Sequence, residues 1–192
     1  MSVIKIKGSS ANTGDFTIQP PNGATDRTLT LPDATTTLSG NVPLGYDSWY
    51  LTANDATVGT HQLDGWTRDT SSVNAQIGSA MSESNSYWTF PSTGLWLIRW
   101  MPFFVLVSGD QVQTYMRVTT DDNATYTDVG SVVAGPGWNH GHNGTQYLFD
   151  VEDTSTHKFR FIASSIDVAA GSYLAGGSTG STYAQFMKIG ET

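Results

Sequence analysis

The sequence predicts an all-β fold: a jelly-roll β-sandwich head preceded by a stem of short strands. Three observations carry this reading. Apolar residues recur with period two along most of the chain, the spacing of strands with one covered face. No amphipathic stretch runs longer than two helical turns. Clusters of Gly, Pro, Asn and Asp cut the chain into about eight to ten strands, about 8–15 residues apart. Charged residues make up only 14% of the 192, and Thr, Ser, Gly and aromatics are plentiful. That balance excludes disordered and coiled-coil chains.

The most apolar stretch is Tyr87–Val107, YWTFPSTGLWLIRWMPFFVLV. Trp88 and Phe90, then Leu95 and Leu97, and Trp96, Ile98 and Trp100, lie on period-two tracks around a turn at Pro91–Gly94. The second strand is apolar on both faces, which predicts a central strand covered on both sides. Pro102 cannot donate to a ladder, so a bulge or strand switch is expected there. The run is too short for a membrane helix and is broken by Arg99 and Pro102, so no membrane insertion is expected.

Taken in order, Val3–Lys7 alternates Ile4 and Ile6 with Lys5 and Lys7, and Phe16–Ile18 is a second short strand. Leu29–Leu31 and Thr35–Leu38 follow. None is long enough to be stable alone. Their apolar side chains have no evident partner within one chain, so copies from several chains are expected to cover one another. Phe16, Ile18, Leu29 and Leu31 are the interface candidates here. The boundary falls at Asn41–Gly45, giving a stem of 1–43 and a head of 44–192. In the head, strands are expected at Tyr46–Thr52, within Gly59–Asp69, at Val112–Thr119 and at Tyr126–Val133. Ala75–Met81 is the one place for a short helical turn. Tyr147–Val151 and Lys158–Ala163 read as a hairpin with Asp153–Ser155 at its tip. Thr182–Ile189 closes the head, with Tyr183 and Phe186 as candidates for a threefold interface.

These segments also carry a resemblance. Phe90-Pro91-Ser92-Thr93-Gly94-Leu95-Trp96 resembles the F-x-x-P-x-x-G-x-Y strand pair of the complement globular-head and tumour-necrosis-factor superfamily of trimeric jelly rolls. Phe90 abuts Pro91 directly, and Trp96 stands where Tyr is usual. Trp66-Thr67-Arg68-Asp69 resembles the opening strand of the bacteriophage members. Phe186-Met187-Lys188-Ile189-Gly190-Glu191-Thr192 resembles their closing I-x-x-G-[DE]-T strand. The likeness spans Leu44 to Thr192. Gly14–Gly40 is similar to a segment of phage fibre and virion-surface proteins that precedes a trimeric head. The resemblance implies a homotrimer on the virion surface, with residues 1–43 docking on other virion proteins and the head meeting the host. It equally fits a capsid decoration or cement trimer. A secreted lectin-like ligand is a third possibility, but MSVIKIKG lacks the apolar core of a signal peptide.

The chain carries no motif of catalysis. G-x-S-x-G, phosphate-loop and dinucleotide fingerprints are absent, and no carboxylate pair is tied to acid–base roles. No enzyme activity and no cofactor are therefore expected. The net charge of −8 argues against nucleic acid. With no cysteine, thiolate metal sites and disulfides are excluded. His140 and His142 form H-x-H, which on a strand would share a face and hold a metal. In Gly135–Gly144, GPGWNHGHNG, they read as a solvated loop pair instead. Asp121-Asp122-Asn123 lacks the further oxygens of a calcium loop and reads as a charged turn. Among the six tryptophans, Trp88, Trp96 and Trp100 belong to a core or interface. Trp138 differs, since it sits in a polar loop beside Asn139, His140, His142 and Asn143. A ring rimmed by amides and imidazoles suits a host-surface glycan, whose C–H faces stack and whose hydroxyls need hydrogen bonds.

Overall fold

The computed structural model describes residues 4–7, 15–18, 43–71, 76–107, 109–135, 140–166, 171–177 and 181–191, with 4–7, 15–18, 165 and 166 as backbone alone. The chain divides into two compact units, Met1–Gly40 and Asn41–Thr192. In the first, β1 (Ile4–Lys7) and β2 (Asp15–Ile18) pair antiparallel, with Ile4 opposite Ile18 and Ile6 opposite Phe16. The two strands thus find a backbone partner in their own chain, which the sequence did not suggest. Two strands of matching length close a ladder for the entropy of one loop, which grows slowly with loop length. A lone two-stranded ribbon is still marginal in water. Leu29, Leu31 and the strands expected around them lie outside the described residues.

Among its described residues the second unit holds strands and no helix, arranged as a sandwich. One sheet has the order β13 (Thr145–Val151), β8 (Gly94–Met101), β16 (Tyr183–Gly190), β3 (Gly45–Leu51), β5 (Trp66–Arg68). The facing sheet has the order β11 (Thr127–Ala134), β10 (Val112–Thr119), β14 (Lys158–Ile166), β7 (Tyr87–Thr89), β6 (Ser82–Ser84). Strand β4 (Gly59–Gln62) takes the far end of the same β14 edge. A third, small sheet joins β12 (His140–His142), β9 (Phe103–Val105) and β15 (Tyr173–Leu174).

The strands expected in the head are present, and Pro102 does mark a strand switch: β8 ends at Met101 and β9 pairs in a different sheet. Two expectations fail. Strands β13 and β14 are not a hairpin, because β13 pairs with β8 and β14 with β10. The Asp153–Ser155 turn arches from one sheet to the other. The stretch expected to hold a helical turn has none where it is described: Ile77 forms a β-bridge with Tyr46, and a bend follows at Gly78.

The inward faces meet in an aromatic core. The ring of Trp100 stacks on Phe161 at 4.3 Å, and Trp88 lies 4.8 Å from Phe186. Both contacts tie one sheet to the other. Trp66 touches Trp88, Trp100 and Phe161. Burying the indole of Trp100 is tolerable because its N–H donates to Thr114 Oγ1 at 2.8 Å.

Gly94 explains the glycine of the Pro91–Gly94 turn. Its φ is +128°, and a Cβ there would lie 2.5 Å from Lys188 Cε and 2.6 Å from the Gly190 carbonyl oxygen. Gly94→Ala is expected to destabilise the head by about 1–3 kcal/mol, the usual cost of a strained backbone. A denaturation midpoint that does not move would show that the turn relaxes freely.

Candidate functional site

Of the residues expected to contact a receptor, two are described. Trp138 and Asn139 lie outside the described residues. His140 and His142 are in β12, not in a loop, paired with Val105 and Phe103. Both are exposed. The His142 ring meets the edge of Phe103 at 4.7 Å and lies 5.8 Å from Tyr183. Local sequence pointed to a loop because Gly and Asn flank these residues; pairing with β9 overrides that preference.

The two interface candidates on β16 separate. Tyr183 and Phe186 are an odd number of residues apart, so they point to opposite faces of the strand. Phe186 is 0% exposed, packed among Trp88, Phe159 and Phe161 inside its own protomer. Its candidacy for an interface is therefore corrected: it belongs to the core. Tyr183 is on the other face and half-buried.

That other face is the outer surface of the five-stranded sheet, and its chemistry is ordered in rows. The ladder places Leu148, Leu97, Met187 and Tyr46 side by side across four strands. Next come Gln146, Arg99, Gln185 and Ser48. Then come Met101, Tyr183, Tyr50 and Thr67. Two largely apolar rows thus flank one polar belt. Within the belt Arg99 donates to Gln185 Oε1 at 3.3 Å, and Gln185 Nε2 donates to the Tyr46 hydroxyl at 3.0 Å. Leu148 is 49% exposed, and Leu95, Leu97 and Met101 are only half-buried. The sequence predicted a central strand covered on both sides. Within one protomer β8 is covered on one side only.

No family model matches the sequence, and no curated protein matches it. Solved structures do. Murine APRIL, in its crystal structure at pH 5.0, superposes with a TM-score of 0.56 at 10% identity, over 76% of this chain and 98% of that one. Eiger TNF from S. frugiperda gives a TM-score of 0.52 at 10% identity, over 79% and 96%. The head is a jelly roll of the tumour-necrosis-factor type. At this identity the likeness concerns the fold alone.

Within that jelly roll, the Trp66-Thr67-Arg68 strand has a structural role that motif reading missed. Asp47 is 2% exposed between the sheets. Arg68 Nε donates to both of its oxygens, at 3.1 and 3.2 Å, and Arg68 Nη2 donates to the Met81 carbonyl at 2.7 Å. The amides of Ser48 and Met81 complete the carboxylate's shell at 3.0 and 2.9 Å. The guanidinium centre lies 4.5 Å from the Trp49 ring. The Asp47 carboxylate is fully committed to these partners. Only the pairing of β3 with β5 brings Asp47 and Arg68 together, so spacing along the chain gives no signal.

The Asp121-Asp122-Asn123 turn likewise spends its oxygens internally. Asp121 accepts from Thr119 Oγ1 at 2.6 Å, from the Thr125 amide at 2.9 Å and from Thr125 Oγ1 at 2.6 Å. The hydroxyls of Thr119 and Thr125 hold its pKa down to about 2, from 3.8. Asp122 pairs with Lys158. Among the described residues no group of three or more His, Cys, Asp or Glu side chains is placed to hold a metal. A depressed carboxyl pKa stabilises the fold above its unfolded value, and that contribution is lost as pH falls toward the folded one. The wild-type head should thus lose an increment of melting temperature between about pH 4 and 2 that Asp121→Asn lacks. Parallel pH curves for the two proteins would show that the turn does not sense this carboxylate.

Proposed function

We propose that this is a non-enzymatic, homotrimeric virion-surface protein, a bacteriophage fibre or spike whose jelly-roll head is presented for host-surface attachment. The observation that carries the trimer is the open outer face of the five-stranded sheet. Leu148, Leu97 and Met187 in one row, and Met101 and Tyr183 in the other, would each be half-solvated in a lone protomer, two apolar rows of the kind that mark an interface. The ordered belt of Arg99, Gln185 and Tyr46 supplies the directional contacts that fix register between copies. The tumour-necrosis-factor type of fold supports a trimeric ligand or structural domain. The two quoted end motifs, Trp66–Asp69 and Phe186–Thr192, support the bacteriophage assignment. Docking on other virion proteins is assigned to the N-terminal unit, where the described residues form the two-stranded ribbon β1–β2, a motif that is marginal without further cover.

Two measurements test this reading. Light scattering of the full chain should give three times the 20.7 kDa chain mass, and a monomer mass would sink the trimer. Antibody labelling of intact particles should mark fibres or spikes. Label spread over the capsid shell would favour a decoration or cement trimer, and unlabelled particles would end the virion reading.

A further inference from the structure

The facing sheet carries a second feature, on its outer surface and within one protomer. Strands β10 and β11 pair regularly from Val112 opposite Ala134 to Tyr115 opposite Ser131. The next pair is Met116 opposite Val129, which leaves Gly130 as an extra, bulged residue. Its φ is +61°, and a Cβ there would lie 2.7 Å from Met116 Cε. A bulge bends its strand and re-aims the neighbouring side chains. Here it accompanies a groove of about 410 Å³, lined among others by Gln113, Tyr115, Asp128, Ser131 and Ser164.

The aromatic ring in this groove is held in place before any ligand arrives. Arg117 Nη2 donates to the Tyr115 hydroxyl at 3.1 Å, and the guanidinium centre sits 5.0 Å from the ring centroid. Arg117 Nε in turn pairs with Asp128. Around the ring stand an amide (Gln113), two hydroxyls (Ser131 and Ser164) and a carboxylate (Asp128). Ser164 Oγ also bonds Thr60 Oγ1 at 3.0 Å and Asp128 pairs with Arg117, which leaves their remaining lone pairs, with the Gln113 amide and the Ser131 hydroxyl, as donors and acceptors at the rim of a ring. A volume of this size falls in the range of about 300–1,000 Å³ typical of small-ligand sites.

The charge balance selects the ligand class. Asp128 is the one charged side chain among the groove's described lining residues, and no cation lines it. Arg117 is neutralised by Asp128 and Lys158 by Asp122. Arg160, opposite Arg117 in the ladder, is stacked 3.5 Å from the Tyr126 ring centroid, with Tyr87 at 5.7 Å. An anionic ligand in the groove would face the Asp128 carboxylate and would have to break its pair with Arg117 to gain a counter-charge. A neutral ligand with one apolar face and many hydroxyls needs no such break. We infer that the Gln113–Tyr115–Asp128–Ser131–Ser164 groove binds a neutral saccharide, which stacks on Tyr115 and exchanges hydrogen bonds with the polar rim. The site is complete within one protomer, so the inference stands or falls independently of the trimer and of the virion assignment.

Saturation-transfer NMR on the full chain tests it, with lactose, maltotriose and chitotriose as neutral probes and 3′-sialyllactose as the anionic one. At least one neutral probe should show transfer to its ring C–H protons. Tyr115→Ala should weaken that probe about tenfold, the scale of one lost stacking contact. Ser131→Trp fills the groove from an exposed position and should abolish transfer without lowering the melting temperature. It decides the matter if Tyr115→Ala fails to fold. Absence of transfer from all three neutral probes, transfer from 3′-sialyllactose alone, or transfer unchanged in Ser131→Trp would each overturn the assignment.

Discussion

Arg68→Met should destabilise the head by about 3 kcal/mol, the low end of the range of about 3–5 for breaking a buried ion pair. The low end applies because the Arg68 side chain keeps 30% of its exposure while Asp47 keeps 2%. Methionine preserves the stem over Trp49 but leaves the Asp47 carboxylate inside the sandwich with two backbone amides and no counter-charge. The Met81 carbonyl loses its guanidinium donor as well. For a domain of this size the loss corresponds to a fall of roughly 6–12 °C in melting temperature. Asp47→Asn in the Arg68→Met background removes the stranded charge, so the double variant should melt above the single one. Calorimetry of the four proteins in the cycle measures the coupling directly. A single variant within about 0.5 kcal/mol of wild type, the range of ordinary surface changes, would show that water reaches Asp47.

That clamp illustrates where reading along the chain stops. Alternation located β3, β8, β10, β11, β13, β14 and β16, because a strand's period is local. It could not say which of two apolar faces turns inward, since Leu97 and Trp96 are equally apolar neighbours. Side-chain volume separates them afterwards: the sandwich interior takes Trp96, Trp100 and Phe186, while Leu97, Met187 and Tyr183 remain outside. Treating Tyr183 and Phe186 as one interface ignored the odd spacing between them, which strand geometry forbids. Sheet membership was equally hidden. A turn such as Asp153–Ser155 serves a hairpin or an arch with the same residues, and only the pairing of β13 with β8 distinguishes them. Asp47 and Arg68 meet across a ladder, and Gly130 bulges against a strand more than ten residues earlier. Both depend on register, which sequence periodicity leaves open until the partners are known.

Leu97→Glu should turn the proposed trimer into a monomer at micromolar concentration. Leu97 lies in the row Leu148–Leu97–Met187, between two apolar neighbours on the open face. A carboxylate there loses apolar contact and, in a threefold assembly, brings three like charges into one dry interface. Central interface positions of this kind cost about 2 kcal/mol or more each. Three copies then amount to about 6 kcal/mol, a weakening of the trimer by roughly 10⁴-fold. Within one protomer the residue is half-buried and faces outward, so the monomer itself should keep its β-sheet spectrum. Phe186→Leu is the matched control from the opposite face of the neighbouring strand. It should lower stability through loss of contact with Trp88, Phe159 and Phe161 and leave the mass in light scattering unchanged. If Leu97→Glu stays trimeric, the copies meet through some other surface and the open face is left for another partner. If Phe186→Leu dissociates the trimer while the protomer remains folded, the core and the interface are one structure, and the assignment of faces on β16 is reversed.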